Sequence, residues 1–425
     1  MKGTYKQRIV DPVLDQLMAE TAAVSLAGPK AVGKTATAER RAHKVFRLDQ
    51  AASREAFLLE RRPLAELKGP VLIDEWQHVP EVWDEVRRDV DDGAPAGQFI
   101  LAGSAAPVGA HIHSGAGRIV QVRMRPLSLA ERALAEPVVS LDAALKGEVA
   151  HVEGSTTMAP ADYAREIAAS GFPGLRHYSE PVRQRHLQAY IDNVVSREFA
   201  EQGLLVRRPE TLRRWLRAYA AATGTTTGYD TLLAAATPGE GDKPAAKTAI
   251  AYRDILQSLW LLDEVGPWDP SGSSIKRLSK TPKHFLADPA LAARLLGLGA
   301  QDIAEGPVEP IFGPKFGSIA GRLFEALVGL SLLTYGDALG AHVSYLRTRN
   351  GDHEIDFIVQ RGRRVVAIEV KLTPSVTAED TRHLVWLRDQ LGEQLAAAIV
   401  VTTGSRAFRR RDDGVLVVPA VLLGP

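Results

Sequence analysis

The chain of 425 residues contains no cysteine, which excludes disulfides and thiolate metal sites and fits a reducing compartment. It also lacks a dominant charge. Lys and Arg number 52 against 51 Asp and Glu, a net of +1, so nothing draws the whole chain to nucleic acid and any such binding must come from local basic patches. No apolar run approaches the roughly 18 residues that a membrane-spanning helix needs. The start, "MKGTYKQRIVDPVLDQL", lacks the apolar core of a signal peptide, so a cytoplasmic location with no membrane partner is the expectation. Internal repeats and long low-complexity tracts are absent too, and the polar breaks "TPGEGDKP" and "WDPSGSS" are short enough to be loops. With 45% hydrophobic and 24% charged residues, the chain can bury substantial cores. Its length exceeds one ordinary domain, and two to four are expected.

Residues 22 to 35 read "AAVSLAGPKAVGKT": an apolar run that fits a buried strand, a glycine-rich loop, then a helix-permissive stretch. Backbone N–H groups can wrap a polyphosphate only where glycines permit close approach and unusual dihedrals, and a following helix adds positive potential. Gly28, Pro29, Lys30, Ala31, Val32, Gly33, Lys34, Thr35 and Ala36 therefore form the candidate nucleotide-binding stretch. Lys34 would reach the outer phosphates of ATP and Thr35 would ligate Mg2+. Downstream, "GPVLIDEWQHVP" gives a second buried strand ending in Asp74 and Glu75, one acid for the magnesium shell and one to orient a water. A third strand, "QFILAGS", ends at Ser104, placed as a polar sensor of the outer phosphate.

These motifs resemble prokaryotic AAA-type P-loop ATPases that carry a C-terminal domain of long-unassigned function (DUF4143). The motifs are the loop Gly28 to Thr35, "LIDEWQ" at 72 to 77, "ILAGS" at 100 to 104 and "GAGRIVQVRMRPLSLAE" at 115 to 131. The resemblance covers essentially the whole chain. It implies that Arg118 lies near a nucleotide; Arg123 and Arg125 either join it or pair with acids. An arginine delivered in trans could raise hydrolysis by about 10³ to 10⁵, so activity would depend on assembly into a homo-oligomer. It further implies a helical lid from 133 to 200 and a winged-helix domain from 201 to 300. In "RRPETLRRWLRAYAAATG", Leu212, Trp215, Leu216 and Tyr219 recur at helical spacing while Arg213, Arg214 and Arg217 fall elsewhere, one face core and the other basic. If the middle domain touches DNA, Lys247 and Arg253 are the groove candidates; a protein partner is the alternative.

Residues 354 to 372, "EIDFIVQRGRRVVAIEVKL", read as a hairpin. Strand alternation groups Ile355, Phe357 and Val359 on one face and Glu354, Asp356 and Ile358 on the other; Glu369 and Lys371 share a face in the second strand. With Gly362 and Arg363 at the centre of the turn, Asp356 lies across from Glu369. Two carboxylates that close destabilise a hairpin by up to about 1 kcal/mol and raise one pKa, unless a divalent ion lies between them. Oxygen-only ligands favour Mg2+ or Mn2+ over zinc. Lys371 would polarise a water there, or pair with Glu354. Upstream, the apolar stretch "FGSIAGRLFEALVGLSLL" holds one acid, Glu325. Helix acid, strand Asp and Glu-x-Lys resemble the PD-(D/E)XK core of restriction-endonuclease-like proteins, which implies catalytic roles for Glu325, Asp356, Glu369 and Lys371 and metal ligation by Asp356 and Glu369. "RTRNGD", "RGRR" and "RAFRRRDD" supply local positive charge for a phosphodiester backbone.

The expectation is an α/β protein: P-loop ATPase core at 1–132, lid at 133–200, winged helix at 201–300 and nuclease-like domain at 301–425. ATP and ADP would be its ligands. The rival is a nucleotide-switched interaction protein whose C-terminal domain binds without cutting.

Overall fold

The stretch Ala23–Ala27 is buried at every position, the pattern of a strand covered on both faces, and it forms β1 at the heart of a parallel sheet. The computed structural model describes residues 5–59, 64–105, 115–149, 151–237, 246–268, 281–305, 318–348 and 351–425. Beside β1 stand β2 (Lys44–Arg47), β3 (Val71–Asp74), β4 (Phe99–Gly103) and β5 (Ile119–Arg123), in the order β2-β3-β4-β1-β5. All pair in parallel. Alternation along the strands splits the core: Val24, Leu26, Leu72 and Ile100 pack to one side, Ala23, Val71, Ile73 and Leu101 to the other. Register places Ala27 beside Gly103 and Asp74 beside Ala102. The loop after β1, the acids at the end of β3 and the serine after β4 thus meet at one edge, the carboxyl ends where α/β sheets bind ligands.

The middle of the chain is helical, with Pro160–Ala169 and Glu180–Asn193 running into a π-helical turn at Val194–Glu198. Two short strands fall within the expected lid, β6 (Val139–Ser140) and β7 (Gly154–Ser155). The helix Pro209–Ala221 buries Leu212, Trp215, Leu216 and Tyr219, the face predicted from spacing. Helices Tyr229–Ala236 and Ala246–Ser258 follow, then a two-stranded ribbon made by antiparallel bridges Leu262↔Leu286 and Val265↔Lys283. Most of "TPGEGDKP", "WDPSGSS" and the start of "IKRLSKTPKHFLAD" lie outside the described residues. The ribbon does not stand free as a wing. Pro267 bridges in parallel to Tyr345 and joins it to the C-terminal sheet.

That sheet has seven strands, ordered β7-β12-β13-β11-β10-β9-β8. Its own strands are β8 (His342–Arg347), β9 (Glu354–Arg361), β10 (Arg364–Lys371), β11 (Leu395–Thr402), β12 (Arg406–Arg409) and β13 (Leu416–Pro419). β7 extends it from the lid side, and β14 (Leu423–Gly424) pairs back to β6. The helix Ile319–Leu339 packs on one face and Ala378–Leu391 on the other. Ile319–Leu339 is long and apolar enough to cross a membrane by length and composition, contrary to expectation, because Arg322 and Glu325 interrupt the run without much lowering its mean hydropathy. Of that apolar window 78% is buried inside the fold, and this packing accounts for its composition.

Candidate functional site

The loop after β1 owes its shape to three residues with positive φ: Gly28 at 158°, Ala31 at 67° and Gly33 at 99°. A Cβ on Gly28 would sit 2.2 Å from the carbonyl oxygen of Met124, so backbone approach alone requires glycine there. The helix Lys34–Glu39 begins at the end of the loop. Lys34 is buried, its Nζ donating to the carbonyls of Gly28 at 2.8 Å and Pro29 at 2.9 Å. Burial pushes its ammonium down to about 8, opposed by Glu75 and Asp74. Thr35 donates its hydroxyl to both Asp74 oxygens at 3.0 Å. Burial raises Asp74 to about 6, against the hydrogen bond from Thr35. Glu75 takes a left-handed conformation (φ 53°), and its Oε2 accepts from Ser104 Oγ at 3.2 Å and from Gln77 Nε2. Gln77 also donates to Ser104. Lys34, Thr35, Asp74, Glu75 and Ser104 thus come together as expected from sequence. Thr35 and Asp74 offer a hydroxyl and a carboxylate of the type that holds Mg2+ in a nucleotide site.

Lys30 reaches from the loop to the lid. Its Nζ lies 3.4 Å from Glu198 in the π-helical turn and 3.4 Å from Glu201, and Tyr190 donates to its carbonyl. Arg8, which no motif marked, ties the loop to the end of the domain: Nη1 donates to Val32 O at 2.8 Å, Nη2 to Arg125 O at 2.6 Å and Nε to Glu131 at 2.8 Å. The three arginines of "GAGRIVQVRMR" do not gather at the loop. Arg118 precedes β5, roughly 16 Å along the strand from the loop end. It is partly exposed and bonded to Asp91 at 2.8 Å. Arg123 and Arg125 pair instead with the ribbon residue Asp263, at 3.1 Å and 2.6 Å, and Arg125 also bonds Asp337 on the helix Ile319–Leu339. Burial opposes the ionised form of Asp263, but both guanidinium groups outweigh it and hold the carboxyl below its ordinary range.

In the C-terminal hairpin the register runs from Arg361↔Arg364 to Phe357↔Ile368, as the expected turn requires. Alternation, however, breaks at Asp356. Three steps of β9 (Ile358 to Ile355) oppose two steps of β8 (Ser344 to Leu346), so Ile355 packs with Ile358 and Ala367 rather than with Phe357 and Val359. At this bulge Asp356 caps the ladder with its side chain, Oδ2 accepting from Val370 N at 2.9 Å. Glu325 and Asp356 do meet, but through a cation already in the chain: Lys283 Nζ donates to each at 2.9 Å. Burial disfavours charge on Asp356, yet the ammonium and the Val370 N–H hold it below its usual range. Glu369 is driven up by burial and then by Asp356, the repulsion expected from the sequence. Its Oε1 takes Lys371 at 2.9 Å, while Oε2 is buried without a hydrogen-bond partner. Lys371 thus pairs with Glu369, not with Glu354. Among the described residues no group of three or more His, Asp or Glu side chains is placed to hold a metal ion. Asp356 and Glu369, expected to share Mg2+ or Mn2+, are each bonded to a lysine, Lys283 and Lys371 respectively.

Of the basic surface candidates, Arg253 is bonded to Asp254 at 2.8 Å and lies over the Tyr229 ring, while Lys247 is exposed. In the C-terminal clusters Arg361 pairs with Asp142, Arg410 with Asp413, and Arg409 donates to Gly414 O. Arg349 and Asn350 of "RTRNGD" lie outside the described residues.

Loop, strand-end acids and parallel sheet together define a P-loop ATPase domain of the AAA type. Comparison with known families agrees: residues 20–133 match an AAA domain, and 320–423 match a domain of unknown function, DUF4143. Between them, 160–302 match a further domain of unknown function, DUF8612, across the boundary expected at 200. Two uncharacterized proteins, from Mycobacterium tuberculosis and Mycobacterium bovis, are each 26% identical over 407 residues, covering 93% of this chain and 80% of theirs. Among solved structures, the Walker-type ATPase PABY2304 of Pyrococcus abyssi matches at a TM-score of 0.38 and 15% identity, over 67% of this chain and 94% of that one.

Proposed function

We propose that the protein is a magnesium-dependent ATPase whose nucleotide state is passed to its C-terminal domain. The observation that carries this is the meeting of Lys34, Thr35, Asp74, Glu75 and Ser104 at the edge where β1, β3 and β4 end. Lys34 neutralises outer phosphates once they replace the Gly28 and Pro29 carbonyls as its partners. Thr35 and Asp74 would hold the magnesium ion, which when bound would supply positive charge to the transferred phosphoryl group. Glu75 orients the attacking water, and Ser104 with Gln77 positions Glu75. Arg118, on the outer end of the sheet, suits contact with a neighbouring copy and so an oligomer in which it serves another subunit's nucleotide.

The route to the rest of the chain is polar and continuous. Val32 of the loop bonds Arg8, Arg8 bonds Glu131 and the Arg125 carbonyl, and the segment after β5 is fastened to the helix Ile319–Leu339. Ser331 Oγ accepts from Leu129 N at 3.0 Å and Tyr335 Oη from Ala130 N at 3.2 Å. We favour the reading in which the C-terminal domain binds a partner, nucleic acid or protein, without cleaving it, because the cluster that would need a metal for cleavage is already neutralised by lysine. The test of the ATPase reading is Lys34→Ala in the full chain: nucleotide binding and turnover are lost, and wild-type turnover in that variant refutes it. Turnover measured against single- and double-stranded DNA, beside a nuclease assay in Mg2+ and Mn2+, separates the interaction reading from cleavage.

A further inference from the structure

Lys283 is 1% exposed at its side chain, a rare position for lysine. Its backbone exchanges both hydrogen bonds with Val265, at 2.9 and 3.0 Å, so the ribbon holds it rigidly. Nζ lies 2.9 Å from Glu325 Oε1 and from Asp356 Oδ1, and 3.9 Å from Glu354 Oε1. The Tyr345 and Phe357 rings flank the ammonium, each centroid 5.8 Å away. These acids come from the helix Ile319–Leu339 and from β9; the lysine comes from neither.

We propose that Lys283 is the resident cation of this carboxylate cluster, inserted by the ribbon where a divalent ion would otherwise be needed, so that in this arrangement the C-terminal domain is metal-free and closed. A hard divalent ion draws carboxylate oxygens to about 2.0–2.6 Å from a common centre. An ammonium bonded to both Glu325 and Asp356 already occupies that centre, and two cations cannot share it. Burial makes the substitution matter: with Lys283 gone, Glu325 and Asp356 lose the cation they share while staying buried, near Glu369 with its unpaired Oε2. Such a group must take up protons or an ion.

The ribbon has a second anchor. Asp263, two residues before Val265, is the residue that Arg125 and Arg123 grip, and its amide donates to Phe285 O at 2.9 Å. One short element thus carries both the acid held by the ATPase domain and the lysine that closes the C-terminal cluster.

This inference deepens the proposed non-cleaving C-terminal domain but does not depend on ATP turnover. The test is Mn2+ binding to the full chain without nucleotide, read from the loss of the free-ion electron paramagnetic resonance signal. Every protein carries Lys34→Ala and Asp74→Asn, to silence the front site. With Lys283 present the chain takes up no Mn2+; with Lys283→Met it binds one further ion, which adding Asp356→Asn removes; with Lys283→Arg it again binds none. Mn2+ uptake by the Lys283 protein that Asp356→Asn abolishes overturns the proposal, and so does a folded Lys283→Met protein that gains no site. Should Lys283→Met not fold, the Lys283 protein with and without Asp356→Asn decides alone: Asp356-dependent uptake overturns the proposal, and its absence supports it. Failure of the ATPase reading would show separately, as wild-type turnover in Lys34→Ala alone.

Discussion

Arg125→Met, with the cycle Asp263→Asn and the double variant, probes the joint between the ATPase domain and the ribbon. Arg125 is buried, donating from Nε to Asp263 Oδ2 at 2.6 Å and bonding Asp337 with Nη1. Methionine fills most of the side-chain volume but leaves Asp263 buried with one guanidinium instead of two. Breaking a buried ion pair by removing one partner costs about 3–5 kcal/mol. Because Arg123 Nη1 remains 3.1 Å from Asp263, the loss belongs at the low end, about 3 kcal/mol. The two single changes should be non-additive by about 1–3 kcal/mol, since each strands the charge that the other removes. Urea titration followed by tryptophan fluorescence is the assay, with Trp260 beside Arg123 at 5.1 Å as a local reporter. Nucleotide affinity should stay within a few-fold of wild type, because Arg8 grips the Arg125 backbone carbonyl and not its side chain. The pair also sets a pH signature. Asp263 is held below its ordinary range in the folded state, so its contribution is full above the unfolded carboxylate value and is lost as pH falls through the lower folded value. A loss under about 1 kcal/mol, or strictly additive changes, refutes the assignment of this pair as the joint.

Nucleotide affinity should peak between pH about 6 and about 8: below that window Asp74, raised by burial, takes up a proton and gives up its magnesium-binding form, and above it Lys34, lowered by burial, loses the charge that meets phosphate. Titrating a fluorescent ATP analogue across that range measures it, and a flat profile from pH 5 to 9 contradicts it. Gly28→Ala should abolish nucleotide binding, since the added carbon would lie 2.2 Å from Met124 O, whereas Gly228→Ala, at an ordinary φ with nothing within 4 Å, should bind normally; equal affinities would refute the loop geometry. Arg8→Ala should weaken nucleotide binding while leaving the sheet intact, seen as raised KM for ATP with a wild-type far-UV spectrum; unchanged KM would remove Arg8 from the route.

The nucleotide site was legible because its chemistry is local. Gly28, Gly33, Lys34 and Thr35 stand within one loop and the start of its helix, and Asp74, Glu75 and Ser104 lie at or just past the ends of continuous apolar strands, so periodicity and the parallel-sheet rule bring them together. The core face of Pro209–Ala221 and the turn at Gly362 and Arg363 were legible for the same reason. Lys283 was not. It follows the unremarkable "SKTP", its partners Glu325 and Asp356 are 42 and 73 residues away, and nothing in its neighbours says that it is buried. The bulge in β9 was equally hidden, because an extra residue is fixed by the partner strand β8 and not by the alternation of β9 itself. Arg123 and Arg125 show the limit of a motif: the resemblance left them either beside the nucleotide or paired with acids, and a single acid far along the chain, Asp263, holds both at the ribbon.

A buried ion pair stabilises a fold little against a hydrophobic replacement, and removing one partner costs much. Two such groups on one ribbon, Asp263 held by arginine and Lys283 holding carboxylates, therefore make its seat all-or-none. A small displacement would expose charge at both ends at once, so intermediate positions are disfavoured and the seated position is sharply defined. That is the property a switch element needs: two arrangements with little between them. The ATPase domain touches this element through Arg123 and Arg125, at the C-terminal end of a strand whose partner β1 leads into the phosphate loop. Under the proposed coupling, a change in loop conformation that shifted β5 would act first on Asp263, and through the same ribbon on Lys283.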